Sequence, residues 1–187
     1  MRVLNTRPVV ETRFLNLNET QYEHKGKTGT WFWAERPKQQ NAVVIAALVM
    51  CPTGLGLSLP RLVVISEFRV PIGDYEYGLP AGLIDHDETI DTTVRRELKE
   101  ETGLEVVNFR KISPLIFNTA GLTNEGCHMA FVTARGTLST ADNEASEDIQ
   151  PMLLSQQEVK ELLNDPSKKF GAKGYLVMER FADTGSI

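Results

Sequence analysis

The stretch GLIDHDETIDTTVRRELKEETGL, residues 82–104, decides how this chain is to be read. Thr89 stands where an N-cap belongs, Asp91 falls in the first turn, residues 90–102 contain neither Gly nor Pro, and Gly103 sits where a glycine would end a helix. The pattern predicts a helix over 90–102. On a wheel of about 100° per residue, Ile90, Val94 and Leu98 form one apolar stripe that faces a core. Glu97 and Glu101 fall beside this stripe, and Glu100 stands about 60° from Glu97 on the far side, so three carboxylates share an arc of roughly 100°.

An ordinary helix carries its acids on the solvated face. Here two of them border the buried stripe, where like charges one turn apart repel and desolvation is costly. A positive partner is required. One reading has Arg95, Arg96 and Lys99 neutralise the acids in surface pairs. The other places a hard divalent cation among them: Mg²⁺, which binds through a few carboxylates, water and substrate phosphate, with Mn²⁺ as the alternative ion.

The same stretch runs Gly, five residues, Glu, seven residues, then Arg-Glu-aliphatic-any-Glu-Glu-any-Gly-aliphatic. Its fixed positions are filled by Gly82, Glu88, Arg96, Glu97, Glu100, Glu101 and Gly103. At background frequencies of about 5 to 7% per position, chance would produce this on the order of once in ten million, so the match is not incidental. The stretch resembles the Nudix box. The resemblance implies metal ligation by Glu97, Glu100, Glu101 and the Ala81 carbonyl, catalytic service from Glu97, Glu101 and Arg96, and supporting roles for Arg96 and Glu88. It also implies hydrolysis of a nucleoside diphosphate linked to a further group.

Upstream, LVVISEFRVPIGDYEYGLPAGLID, residues 62–85, is similar to the ADP-ribose pyrophosphatase branch of that family, as is GKTGTW, residues 26–31, followed by Arg36. The resemblance assigns substrate binding to Trp31, Arg36, Arg69 and Leu83, with Trp31 stacked on the adenine. A guanidinium fork suits diphosphate oxygens. Trp31 and Trp33 alternate with Phe32 in an apparent strand, so packing on a sheet face or at a subunit contact is the competing reading. Downstream, the acidic segment NEASED, residues 143–148, resembles the branch's mobile loop, which places a catalytic glutamate at Glu147, with Glu144 as its rival. Two departures touch the substrate side. Gly78 stands where relatives carry a glutamate, with Glu76 as a candidate substitute, and Thr119-Ala120 replaces Asp-Pro or Ser-Pro before Gly121.

The resemblance covers roughly residues 26–163. It implies an α/β Nudix fold: a mixed β-sheet sandwiched between helices (α/β/α), with an N-terminal antiparallel strand set. The expectation is one Nudix hydrolase domain over 1–187, with strands of 1–40 in homodimer contact and a core over 41–187. Strands are expected at 7–17, 21–24, 30–35, 42–50, 61–67, 105–117 and 126–136, with a turn at 25–27. Further helices are expected at 155–163 and 171–181. The early aromatic side chains Phe14, Tyr22, Trp31, Phe32 and Trp33 agree with an interface.

Composition sets limits on partners. A formal net charge of -5 and a pI near 5.3 disfavour nucleic acid and anionic membranes, and an anionic substrate needs local cations. No run of about 18 apolar residues occurs and residues 1–14 lack a signal-like stretch. Cys51 and Cys127 have no metal-ligand spacing, which fits reduced thiols in the cytoplasm. His24, His86 and His128 are isolated. The expected activity is Mg²⁺-dependent cleavage of ADP-ribose or a related ADP-sugar to AMP and a sugar phosphate. The alternatives are another nucleotide sugar, a dinucleotide or NADH as substrate, or a noncatalytic sensor of such ligands.

Overall fold

The computed structural model describes residues 1–38, 40–52, 57–143 and 148–187. Two apolar runs occupy its centre, β4 (Ala42–Pro52) and β5 (Ser58–Arg69). Beside β4, in parallel, lies β10 (Gly126–Arg135), paired from Ala42↔Cys127 to Val49↔Ala134. Alternation along β4 sends Val43, Ile45, Ala47 and Val49 to one core and Ala46 and Leu48 to the other. Both faces are covered, which is why the run is almost wholly apolar.

The first face is covered by α1 (Ile90–Thr102), whose Val94 and Leu98 are fully buried. Burial of each is worth about 1.5–3 kcal/mol. The second face is covered by α2 (Gln156–Leu163) and α3 (Ala172–Thr184), through Val159, Val177, Met178 and Phe181. A mixed sheet between helical layers is thus the architecture. Its main path runs β12 (Lys169–Phe170), β6 (Asp74–Gly78), β5, β4, β10, β8 (Glu105–Ile112). Off that path, β11 (Ile149–Leu154) pairs with β5, β7 (Ala81–Leu83) with β4, and β9 (Ile116–Phe117) with β10.

The site is created where this sheet splays. β4 and β5 pair only from Leu48↔Leu62 to Pro52↔Ser58. Beyond that point the segment β6–β7 enters between them, pairing with β5 through residues 74–78 and with β4 through 81–83. Leu79 and Pro80 carry the chain across and are buried. Pro80 has no N–H to give a ladder, but its carbonyl accepts from Ile45 N–H at 2.7 Å.

A separate three-stranded antiparallel sheet, β1 (Arg2–Val10), β2 (Asn16–His24) and β3 (Lys27–Glu35), forms the N-terminal part. The β2–β3 turn places Lys25 and Gly26 at φ 50° and 72°, the left-handed pair that matches hairpin twist. The strand expected across 7–17 is not continuous. Thr12 Oγ1 accepts from Leu15 N–H at 2.9 Å, and Thr12 N–H donates to Asn16 Oδ1 at 3.3 Å, which turns the chain between β1 and β2. Likewise the run 105–117 divides into β8 and β9 around Ser113-Pro114, where Ser113 Oγ accepts from Met129 N–H instead. The last helix extends to Thr184 and ends at Gly185, φ 69°. No helix among the described residues is long and apolar enough to cross a membrane.

Candidate active site

The Thr89 cap of α1 accepts from Thr92 N–H, and Gly103 closes the helix at φ 75°. The edge of α1 that carries the acids packs against the outer edge of β7. In the β4–β7 ladder the bonded positions are Ile45–Pro80 and Asn41–Ile84, so by the antiparallel alternation Ala81 and Leu83 turn their N–H and C=O groups away from β4. Ala81 N–H donates to Glu101 Oε2 at 3.2 Å, and the Leu83 carbonyl accepts from Arg96 Nη2 at 3.3 Å. The Ala81 carbonyl shares that outward edge. Gly82 lies between, and a Cβ there would overlap the Glu97 carboxylate. Glycine at 82 is therefore what lets Glu97 lie on the strand.

The three acids are graded in burial. Glu101 is 3% exposed, the Glu97 side chain 12% and the Glu100 side chain 37%. Arg96 organises them. Its Nη1 donates to Glu97 Oε1 at 2.7 Å and to Glu100 Oε2 at 3.0 Å, while Nε and Nη2 form a fork on Glu88 at 2.9 and 2.8 Å. That fork, helped by Thr93 Oγ1 at 2.8 Å, holds the Glu88 carboxyl down to about 2 against a smaller desolvation effect. The same contacts raise the Arg96 pKa further, Glu88 first and then Glu97 and Glu100. Arg95 and Lys99 take no part. Arg95 donates to the Val106 carbonyl and lies over Phe109, and Lys99 caps Gly103 O and pairs loosely with Glu105. Arg96 thus bridges Glu88, Glu97 and Glu100.

Among the described residues no group of three or more His, Cys, Asp or Glu side chains is drawn together tightly enough to hold a metal ion. The donor chemistry nevertheless suits a hard divalent cation: three carboxylates and a main-chain carbonyl, all oxygen, lie along one seam organised by Arg96.

The seam opens into a cavity of ≈ 520 Å³ at the splayed end of the sheet. Of the sequence-predicted residues, Glu97, Glu100, Glu101, Arg96, Ala81, Leu83, Arg36 and Arg69 all line it, as does Gly78. Arg36 Nε donates to Glu125 at 2.7 Å and Arg69 pairs with Glu67 at 2.8 Å. Trp31 is not part of the described lining. It is half exposed, and its indole N–H donates to the Gly121 carbonyl at 3.0 Å, beside the Thr119-Ala120 departure. Trp33 is tied to Thr20 Oγ1 at 2.8 Å within the N-terminal sheet. Glu144 and Glu147 lie outside the described residues. Asp148 accepts from Phe68 N–H through its carbonyl, which places it beside the residue that precedes Arg69. His86 projects fully into solvent. Sequence reasoning did not find Glu67, Asn118, Glu125 or Lys173, which also line the cavity. They arrive through strand register and helix docking, for which no local signal exists.

A helix with an acidic edge, clamped by one arginine onto a free strand edge at the split in a mixed sheet, defines the class of protein. The chain belongs to the Nudix family: residues 43–173 match the NUDIX domain. It is 31% identical over 148 residues to the ADP-ribose pyrophosphatase of Saccharomyces cerevisiae, covering 76% of this chain and 63% of that one. It is 29% identical over 129 residues to the ADP-sugar pyrophosphatase of Mus musculus, covering 68% and 59%. The chain thus spans less than two thirds of the length of these relatives. A crystal structure of an ADP compounds hydrolase superposes with a TM-score of 0.70 at 20% identity, covering 100% of this chain and 96% of that one, which establishes the shared fold.

Proposed function

We propose that the protein hydrolyses the diphosphate of ADP-ribose or a related ADP-sugar to AMP and a sugar phosphate, with Mg²⁺, or Mn²⁺ in its place. The observation that carries this reading is the α1–β7 seam. Glu97 is seated on the bare Cα of Gly82, Glu101 is fixed by Ala81 N–H, and Arg96 aligns Glu97 and Glu100 while Glu88 holds Arg96. Glu97, Glu100, Glu101 and the Ala81 carbonyl would hold the cation, which supplies Lewis acidity at the phosphoryl oxygens and a more acidic water.

The remaining work falls to the chain. Arg36 and Arg69 each pair with one carboxylate and retain further N–H donors of the fork for diphosphate oxygens. Leu83 borders the substrate beside them. Water oxygen joins one phosphorus and the bridging oxygen departs on the other phosphate. The water's proton goes to a carboxylate, assigned here to Glu147, or to solvent. Trp31 holds the adenine by stacking from the rim near Gly121.

The whole chain acts as one Nudix unit that dimerises through residues 1–40. Support comes from the N-terminal sheet and its β1–β2 connection, where Val3, Val9, Val10, Phe14 and Phe32 are exposed. Sedimentation equilibrium that finds only monomer at micromolar concentration would remove this element. Cytoplasmic residence rests on the free thiols of Cys51 and Cys127, and fractionation of cells that express the protein tests it.

The deciding assay supplies ADP-ribose, ADP-glucose, GDP-mannose, diadenosine polyphosphates and NADH with Mg²⁺, with Mn²⁺ and with chelator. Release of AMP and ribose 5-phosphate from ADP-ribose, abolished by chelator, is expected. Tight binding of ADP-ribose with no turnover in either ion would point instead to a sensor, and no release from any compound would end the hydrolase reading.

A further inference from the structure

The wall of the cavity opposite the α1 seam has a composition that cleavage of the diphosphate does not account for. On one face of the β5–β6 ribbon, three pairs stand directly opposite: Ile65↔Gly78, Glu67↔Glu76 and Arg69↔Asp74. Like charges directly across a ladder destabilise it, so Glu67 facing Glu76 is an uncommon arrangement. Two acids of this ladder have cations: Arg69 lies 2.8 Å from Glu67, and Lys169 lies 2.9 Å from Asp74. Glu76 has neither an ion pair nor a hydrogen bond among the described residues, although it is partly buried and lines the cavity.

Two residues beyond Gly171, Lys173 in the first turn of α3 also lines the cavity. Arg36, Arg69 and Arg96, the arginines in the lining, each have a carboxylate within 4 Å, whereas Lys173 has none among the described residues. Its charge reaches the cavity interior, where it opposes the upward shift that burial imposes on the Cys127 thiol. Between the two groups the wall is bare. A Cβ on Gly171 would overlap Glu76 Oε1, and one on Gly174 would come to 3.0 Å of the Gly78 Cα, so α3 approaches β6 only because both are glycine. Over Gly78 itself there is room, since a Cβ there would meet nothing closer than Glu76 Oε1 at 3.9 Å.

We propose that Glu76 and Lys173, set on the glycine wall between β6 and α3, form the subsite for the half of the substrate that departs as a phosphorylated polyol. Glu76 accepts two of its hydroxyl hydrogens and Lys173 pairs with its phosphate. An ionised carboxylate is an acceptor with no donor of its own and matches adjacent hydroxyls. A compact ammonium matches a single phosphate oxygen. A hydroxyl-free leaving group would still offer its phosphate to Lys173 but would strand the Glu76 carboxylate, and a site built to hydrogen-bond discriminates strongly against the analogue that lacks the bond. The subsite rests on the proposed hydrolysis and names its leaving group by chemistry. Glu76 and Lys173 are specificity residues, distinct from the seam that carries the reaction.

The test uses the 187-residue protein and its E76A, E76Q and K173A variants, each checked for an unaltered melting transition. Rates are compared on ADP-ribose and on the methyl ester of ADP, which keeps the diphosphate but lacks the polyol. E76A is expected to lower kcat/KM for ADP-ribose about tenfold more than for the methyl ester, about 1.4 kcal/mol of discrimination. E76Q keeps one acceptor oxygen and should fall between. By calorimetry, ribose 5-phosphate should bind about tenfold more weakly to E76A and to K173A than to the parent protein, with AMP affected less. Equal losses on both nucleotide substrates, together with the same affinity for ribose 5-phosphate in all forms, would overturn the subsite. If the parent protein cleaves neither nucleotide, the hydrolysis reading falls, and the calorimetry alone then decides whether this wall binds a sugar phosphate.

Discussion

Gly82→Ala isolates the seam from everything else in the fold. Gly82 is not at positive φ, so alanine is compatible with its backbone. The new methyl, however, would occupy the space of the Glu97 carboxylate, whose carbon and both oxygens lie inside the distance at which real Cβ contacts occur. Ordinary contact begins near 3.4 Å, so Glu97 must retreat by about an ångström or more, away from Arg96 Nη1. Misplacement of about 1 Å costs on the order of 100-fold in a positioned site, so kcat/KM on ADP-ribose should fall by about two orders of magnitude. Overpacking of this kind costs about 1–3 kcal/mol, which for a chain of this size lowers Tm by several degrees, about 2–4 °C per kcal/mol, without unfolding it. Because the loss acts through Glu97, Gly82→Ala combined with Glu97→Gln should be scarcely worse than either alone. Steady-state kinetics in saturating Mg²⁺, with melting followed by circular dichroism, read both effects. Activity of Gly82→Ala within about threefold of the parent, at normal stability, would mean that the resting place of Glu97 on β7 has no part in the reaction.

Three further outcomes follow from the same seam and its surroundings. Glu101→Gln should reduce turnover by at least about 100-fold while leaving the fold intact, because the amide keeps an acceptor for Ala81 N–H but loses the charge, and near-normal rates in Mg²⁺ would contradict the role. Trp31→Ala should raise KM for ADP-ribose more than it lowers kcat, as a ground-state stacking contact does, and an unchanged KM would return Trp31 to packing around Gly121. Glu88 gives a pH signature. Its carboxyl is held at about 2 in the folded protein against an ordinary 4.5, so its contribution is complete above about 4.5 and is lost as pH falls toward 2. Glu88→Gln should therefore narrow the stability gap from the parent as denaturant melts are taken from pH 6 down to pH 3, and a gap that stays constant over that range would show that the Arg96 fork does not act through charge.

What could be read in the chain divides along the line between local and nonlocal order. The caps and stripe of α1 are decided within residues 89–103, and helical geometry alone puts Glu97 and Glu101 beside Val94 and Leu98. Buried strands β4 and β5 announced themselves because both of their faces are covered. β1 gave no such signal: it is exposed along its whole length, so nothing imposed an alternation that would mark its start at Arg2 or its end at Val10. The same division explains the site. That Arg96 would reach Glu100 is a matter of one helical turn. That it would also fork onto Glu88 and take the Leu83 carbonyl depends on β7 having its outer edge free, which in turn depends on β4 and β5 parting after Leu48↔Leu62. That parting was invisible in the residues of either strand, because it is caused by a third segment, β6–β7, entering between them. Its consequences include the opposition of Glu67 to Glu76 and the approach of α3 to Gly78. The acids proposed to hold the metal are therefore set locally, on one helix and its cap, whereas the wall proposed for the leaving group is assembled from β5, β6 and α3. Substitutions in the second can thus leave the first undisturbed, and the proposed subsite puts that freedom at Gly78, Glu76 and Lys173, which line the cavity away from α1.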